Sequence, residues 1–442
     1  MLTRETTVRQ ARFAAALVAT SVLAASFAIA ARWAMGHATR FFFGSEHIVE
    51  AFATLAPSER LAAPIVGALA GAALATIGAR LPESRGVGDV MEAVVLGRGR
   101  VSIRAALVKA GASFLALLGG GSVGREGPLI QVGAAIGGRA GEVAGLDGLS
   151  TRVLYAAGTA AGFAAAYNTP IAATLFVLEV VVGVVALELV VPVALAAGIA
   201  TAVSRWVFGD APVYGIRTYA LVSTEQLAAS VLVGPLAALV GVGFMSLLGG
   251  AEKLFARTNV SQPWRAAMGG ALVGVVAMFL PEIVGNGADT IDEMLDGRVL
   301  GFAFIVLLFA KMLATASSVS SGSAGGVFTP SMFIGAALGG GLASIWLGGA
   351  GADRVPVVGA FALVGMASAV AATTHAPLMA VALAFEMSGD YALVVPLLLA
   401  TGLATVTAKA LRPDSIYAAE LRRRGVDWDR SLSKHLASEP PT

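Results

Sequence analysis

The 442-residue chain contains no cysteine. Disulfides, thiolate metal sites and a cysteine nucleophile are therefore excluded. Histidine is scarce: His37, His47, His375 and His435 are the only four, and they form no cluster with metal-ligand spacing. Charge is scarce as well. Asp, Glu, Lys and Arg make up 13% of the residues, about half the roughly 25% usual in soluble domains. The formal net charge is only +2, which gives no reason to expect nucleic acid as a partner. No Gly-Lys-Ser/Thr follows the glycine-rich stretches, so a phosphate-binding loop is excluded and no cofactor is expected. In their place the chain has apolar surface: 57% of its residues are hydrophobic, and its mean hydropathy is +0.81. This composition suits lipid rather than water.

Apolar segments succeed one another from residue 13 to about 411, broken by short polar stretches. Arg4, Arg9 and Arg12 precede an apolar run over residues 13–31. A signal peptide would have this charge pattern, but its apolar core is shorter, and a run of this length favours a retained helix. Those arginines, and Arg422, Arg423 and Arg424 after the last apolar segment, place both termini in the cytoplasm by the positive-inside rule. An even number of crossings follows. Segments around 170–178 and 377–385 are short and begin at prolines, and glycine is abundant at 54 residues. Both features predict helices that stop inside the membrane. The fold class is all-α and polytopic, with a membrane domain over 1–421 and a short cytoplasmic tail over 422–442.

The chain also repeats itself. Leu81-Pro82-Glu83 with Gly86 and Gly88 matches Leu280-Pro281-Glu282 with Gly285 and Gly287, and Lys109 matches Lys311. Gly124 to Pro128 matches Gly326 to Pro330, and Gly158, Pro170 and Glu179 match Gly365, Pro377 and Glu386. The offset drifts only from 199 (81 to 280) to 207 (179 to 386). The halves cover about 60–210 and 260–421. In transporters built this way the binding site lies at the repeat interface and is made of helix ends.

Gly124-Arg125-Glu126-Gly127-Pro128 is the sharpest motif. Proline suits a helix's first turn, where free N–H groups and the dipole favour an anion. Glu126 can fill such a site with its own carboxylate, or it can be an ordinary cap. Ser323 to Pro330 repeats the pattern without an acid, leaving the N–H groups near Val327 and Phe328 to bind an anion uncontested. Gly86-Val87-Gly88 is a third, weaker helix start. Glu179 and Glu386, at matching places, point first to shared capping or pairing. Lys109 and Lys311 point to pairing with a carboxylate or with carbonyls. Asn168 and His375 fit helix-end caps. Tyr417 is an interfacial anchor or an anion donor.

These residues in this order resemble the CLC chloride channels and proton/chloride antiporters, over about residues 80–421. The resemblance implies a homodimer with one pore per subunit, about eighteen helices per subunit and inverted repeat halves. It implies that Glu126 is the external gating glutamate. Val327 and Phe328 N–H groups and the Tyr417 hydroxyl would form the central anion site, with Arg125, Gly127 and Gly326 beside them. Two departures stand out. The family's first motif usually reads GSGIP, whereas Gly86-Val87-Gly88 puts Val87 where a serine hydroxyl is expected. Many antiporters of the family carry an inner proton-transfer glutamate just after the position of Glu179, and here Val180 stands there. The expectation is a chloride or similar small-anion permease of the inner (plasma) membrane, gated by Glu126 and passive or weakly proton-coupled. The alternatives are a strict proton/chloride antiporter with another inner proton path and, more remotely, an intramembrane serine hydrolase built on Gly120-Gly121-Ser122-Val123-Gly124.

Overall fold

A computed structural model describes residues 4–78, 86–97, 100–183, 187–215, 217, 219, 221, 223–348 and 354–426. The repeat element at 81–83 and the tail from 427 onward lie outside the described residues. The N-terminal part of the chain, up to the end of the first half, contains α1 (Arg4–Phe43), α2 (Ile48–Thr54), α3 (Pro57–Ile77), α4 (Val87–Met91), α5 (Ile103–Leu118), α6 (Glu126–Val143), α7 (Gly148–Tyr167), α8 (Pro170–Leu175) and α9 (Leu187–Phe208). The C-terminal part contains α10 (Thr224–Ala256), which precedes the second half, and then α11 (Gln262–Phe279), α12 (Ala288–Leu295), α13 (Ala303–Ser320), α14 (Phe328–Trp346), α15 (Val355–Thr374), α16 (Pro377–Ser388), α17 (Val394–Leu411) and α18 (Ile416–Arg423). Eighteen α-helical segments among the described residues match the expected architecture.

Among the described residues, eight helical stretches are long and apolar enough to cross a bilayer. Their burial differs with their place. The apolar windows of α14 and α15 are 89% buried, against 28% for α3, so α14 and α15 form the centre and α3 faces outward. The apolar run near the N-terminus is part of α1, whose Ala16, Leu17, Ala24, Ala25 and Ala28 are buried in a cluster shared with α7 and α9.

Close helix contacts rest on small residues, as expected where lipid supplies no hydrophobic drive between helices. A Cβ on Gly133 would lie 2.1 Å from the Gly158 carbonyl oxygen, and one on Gly158 would lie 2.0 Å from that of Gly133. Gly335 and Gly365 repeat this in the second half, at 2.2 Å in both directions. Thus α6 packs on α7 as α14 packs on α15.

The short segments begin as expected. Asn168 and His375 end α7 and α15 in the left-handed conformation (φ 58° and 61°), and Pro170 and Pro377 open α8 and α16. After six residues α8 widens into π-type turns over Phe176–Val182, where the sequence alone indicates only a short apolar helix. Glu179 accepts from the N–H groups of Leu378 (3.3 Å) and Met379 (2.7 Å) at the start of α16. Glu386 accepts from those of Ile171 (2.9 Å) and Ala172 (2.8 Å) at the start of α8. Each half therefore caps the other's broken helix, a reciprocity that defines an approximate two-fold axis. Lys311, fully buried, donates to the carbonyls of Ile283 (2.8 Å) and Gly285 (2.9 Å). Carbonyls, not a carboxylate, are its hydrogen-bond partners.

Candidate functional site

The two halves touch backbone to backbone at the motifs themselves. Gly124 N–H donates to the Gly326 carbonyl and Gly326 N–H to the Gly124 carbonyl, both at 2.7 Å, as an isolated antiparallel bridge. Equivalent residues exchanging hydrogen bonds put the two-fold axis at this point. From it α6 and α14 diverge, Pro128 and Pro330 each in the first turn. The first N–H groups of a helix have no partner within it, so the positive ends of both helices converge here.

Glu126 opens α6, and its side chain folds into this junction, where the residue is 1% exposed. Its Oε2 lies where a Cβ on Gly124 would stand only 2.0 Å away, which explains glycine at that position. The same oxygen would be 3.2 Å from a Cβ on Gly326 and has no hydrogen-bond partner among the described residues. Its Oε1 accepts from the Tyr167 hydroxyl at 2.5 Å and from the Thr329 hydroxyl. The two hydroxyl oxygens are 2.7 Å apart. Tyr167 ends α7 and Thr329 lies in the first turn of α14, so three elements from both halves meet at one carboxylate.

Next to Glu126, starting from Tyr167, stands a cluster of aromatic rings. Phe163 packs on Tyr167 (5.0 Å between centroids), Phe176 (4.9 Å) and Phe328 (5.4 Å), and Phe176 meets Tyr417 edge-on at 6.2 Å. Tyr417 is the second residue of α18, and its hydroxyl has no hydrogen-bond partner among the described residues. The structure thus brings Glu126, Gly326, Phe328 and Tyr417 into one continuous region, with Val327 at the N-cap of α14 and Gly127 in the first turn of α6.

Other residues singled out in the sequence stand apart. Arg125 stands at the N-cap position of α6 without a side-chain cap hydrogen bond, and it lines a cavity of about 460 Å³ together with Arg32, Phe114 and Asp289. Gly86, with φ 133°, starts α4, and its N–H is taken by Asp89 Oδ2 (3.2 Å) while Gln131 holds its carbonyl (2.7 Å). Gly88 abuts Leu421 and Arg424 of the α18 region, and Arg424 pairs with Asp89 at 2.7 Å. Val87 is buried in the main core. Val180 is buried beside the capping Glu179. Ser122 is buried, its hydroxyl 2.9 Å from that of Thr315 and its N–H directed at Ser318 Oγ (3.2 Å). Its described partners are these two residues, with no histidine among them.

Sequence reasoning missed two residues at the site. Thr329 lies inside a quoted motif, and its hydroxyl was the available signal. Tyr167 precedes the cap residue Asn168, and nothing local marks it: only the packing of α7 against α6 aims it at Glu126.

A fold of inverted halves, with two helix starts converging on a buried carboxylate, defines a class: membrane transport proteins whose site lies at a repeat interface. The family profile described as "Voltage gated chloride channel" matches residues 66–409. A protein of Ralstonia nicotianae named "Putative chloride channel protein ClcB-like" is 37% identical over 389 residues, covering 86% of this chain and 89% of that one. The Escherichia coli "Voltage-gated ClC-type chloride channel ClcB" is 34% identical over 411 residues, covering 91% and 97%. Among solved structures, a slow cyanobacterial Cl−/H+ antiporter aligns over 95% of this chain and 99% of its own, with TM-score 0.83 and 23% identity. A CLC-type fluoride/proton antiporter aligns over 94% and 98%, with TM-score 0.73 and 24% identity. The chain belongs to the voltage-gated chloride channel (CLC) family.

Proposed function

We propose that this protein carries chloride, or a similar small anion, across the bilayer through a pathway closed by Glu126, with passive or weakly proton-coupled flux. The observation that carries this reading is the buried Glu126 carboxylate at the start of α6, with Oε2 facing the Gly124–Gly326 junction and without a hydrogen-bond partner among the described residues. An anionic side chain there occupies the position an anion would take, because the same N–H groups and helix dipole favour both. Protonation removes the competing charge and frees the site. The names of the curated relatives support chloride as the substrate. Val180 supports weak coupling, since its side chain cannot carry a proton. The anion's inner donors would be the N–H groups of Val327 and Phe328 and the Tyr417 hydroxyl. As the resemblance implies, the protein would act as a homodimer in the inner (plasma) membrane, both termini cytoplasmic.

Strict antiport is the second reading. One observation favours it: Glu420, one turn after Tyr417 on α18, stands beside Gly86 and offers a carboxylate that Val180 does not.

Liposome chloride efflux from about pH 4.5 to 7.5, a span above the ordinary carboxylate value, tests the gate. Flux rises as external pH falls. Glu126→Gln and Glu126→Ala give flux that no longer depends on pH. A merely capping glutamate would instead lose about 1 kcal/mol of stability on truncation and leave the pH profile alone. An unchanged profile in Glu126→Ala overturns the reading. Under a chloride gradient, proton movement against its own gradient decides for antiport.

A further inference from the structure

We propose that the hydroxyls of Tyr167 and Thr329 form a latch that holds the ionised Glu126 carboxylate in the closed position and sets the pH at which the pathway opens. The proposal deepens the gating reading and rests on it. Glu126, Tyr167 and Thr329 are all buried, at 1%, 3% and 1% exposure, so water does not compete for these hydrogen bonds.

The proton count gives the latch its sense. Each hydroxyl carries one proton. When Glu126 is ionised, both are directed at Oε1, and the carboxylate receives two charge-assisted hydrogen bonds. When Glu126 is protonated, the acceptor loses its charge, these hydrogen bonds weaken to neutral ones, and the side chain is freed to leave. Among the described residues, the ionisable groups around Glu126 are Arg125 at its own helix start, Tyr167 on α7, Lys311 on α13 and Tyr417 on α18. Of these only Tyr167 hydrogen-bonds the carboxylate. Arg125 lines the side cavity and makes no hydrogen bond to the carboxylate among the described residues, and Lys311 is held by the carbonyls of Ile283 and Gly285. Thr329 completes the latch from the other half of the repeat. Its counterpart in the first half is Gly127, which has no side chain, so the latch exists on one side of the two-fold axis only.

Tyr167→Phe and Thr329→Val remove one hydroxyl each with little change of shape. A hydrogen bond to a charged group, once lost, changes an equilibrium by about tenfold or more. Chloride efflux from liposomes at about pH 7.5, where a free carboxylate is ionised, therefore rises by roughly that factor in each variant. The midpoint of the pH profile moves to higher pH by about one unit, the same ratio expressed in protons. Thr329→Ser keeps the hydroxyl and the parental midpoint, which separates hydrogen bonding from packing. In a Glu126→Ala background Tyr167→Phe adds nothing. If Glu126→Ala keeps the parental pH dependence, gate and latch fall together. If it abolishes pH dependence while Tyr167→Phe and Thr329→Val retain the parental midpoint and flux, the latch alone falls. An equal rise from Tyr167→Phe in the Glu126→Ala background also overturns it, because the tyrosine would then act on the pathway and not on the gate.

Discussion

Val87 and Tyr417 are the two residues on which the proposed inner anion site can be tested. The Tyr417 hydroxyl makes no hydrogen bond among the described residues, so its proton is available to an anion. Gly86 N–H is already committed to Asp89, and Val87 brings no hydroxyl. Tyr417 is then the one side-chain donor proposed for this site. Tyr417→Phe weakens anion affinity by about tenfold or more, the effect of a lost hydrogen bond to a charged group. Val87→Ser raises it. Calorimetric anion titration of both variants is the check, and unchanged affinity in both removes the two residues from the site. Val87 and Val180 were legible as departures because a motif says what should stand in their places. Tyr167 was not legible, since a tyrosine at a helix C-terminus has many ordinary explanations and its aim is set by tertiary packing.

At the scale of elements, proline and glycine marked the helix starts well. Pro170 and Pro377 fixed where α8 and α16 begin, and Asn168 and His375 serve as the caps expected of them. The matched glutamates were legible as structural, but not their targets. Glu179 reaches 199 and 200 positions along the chain, and Glu386 reaches back 215 and 214. No local pattern encodes such a span. Each carboxylate satisfies two N–H groups that proline-started helices leave open. Glu179→Ala and Glu386→Ala should each cost about 1–2 kcal/mol, the upper range for losing a helix cap. Thermal unfolding in detergent reports the loss, with the pH profile of flux unchanged in whatever protein remains folded. A variant that keeps parental stability would mean that water replaces the carboxylate at that helix start.

At the scale of the whole molecule, the repeat was legible from the residues as two similar halves, and their inversion only through the family resemblance. The Gly124–Gly326 bridge and the exchanged caps give that relation its physical contacts. Neither half owns a complete site: Glu126 and Tyr167 come from the first, Thr329 from the second. Splitting the chain between α9 and α10 is therefore expected to give two inactive fragments whose co-expression restores chloride flux. Flux from either fragment alone would refute the shared site.

The exchanged caps also have a consequence in time. The N–H groups of Ile171 and Ala172 are satisfied by Glu386, which the ribosome adds 215 residues after Ile171. At about 5–20 residues per second, that interval is roughly 10–40 s. For that long the start of α8 waits in a nascent, half-built membrane protein with two backbone donors unsatisfied, each costly in hydrocarbon. The first half must therefore stay beside water, the insertion machinery or another polar partner until the second half arrives. Its assembly is a rendezvous, not a sequence of finished parts.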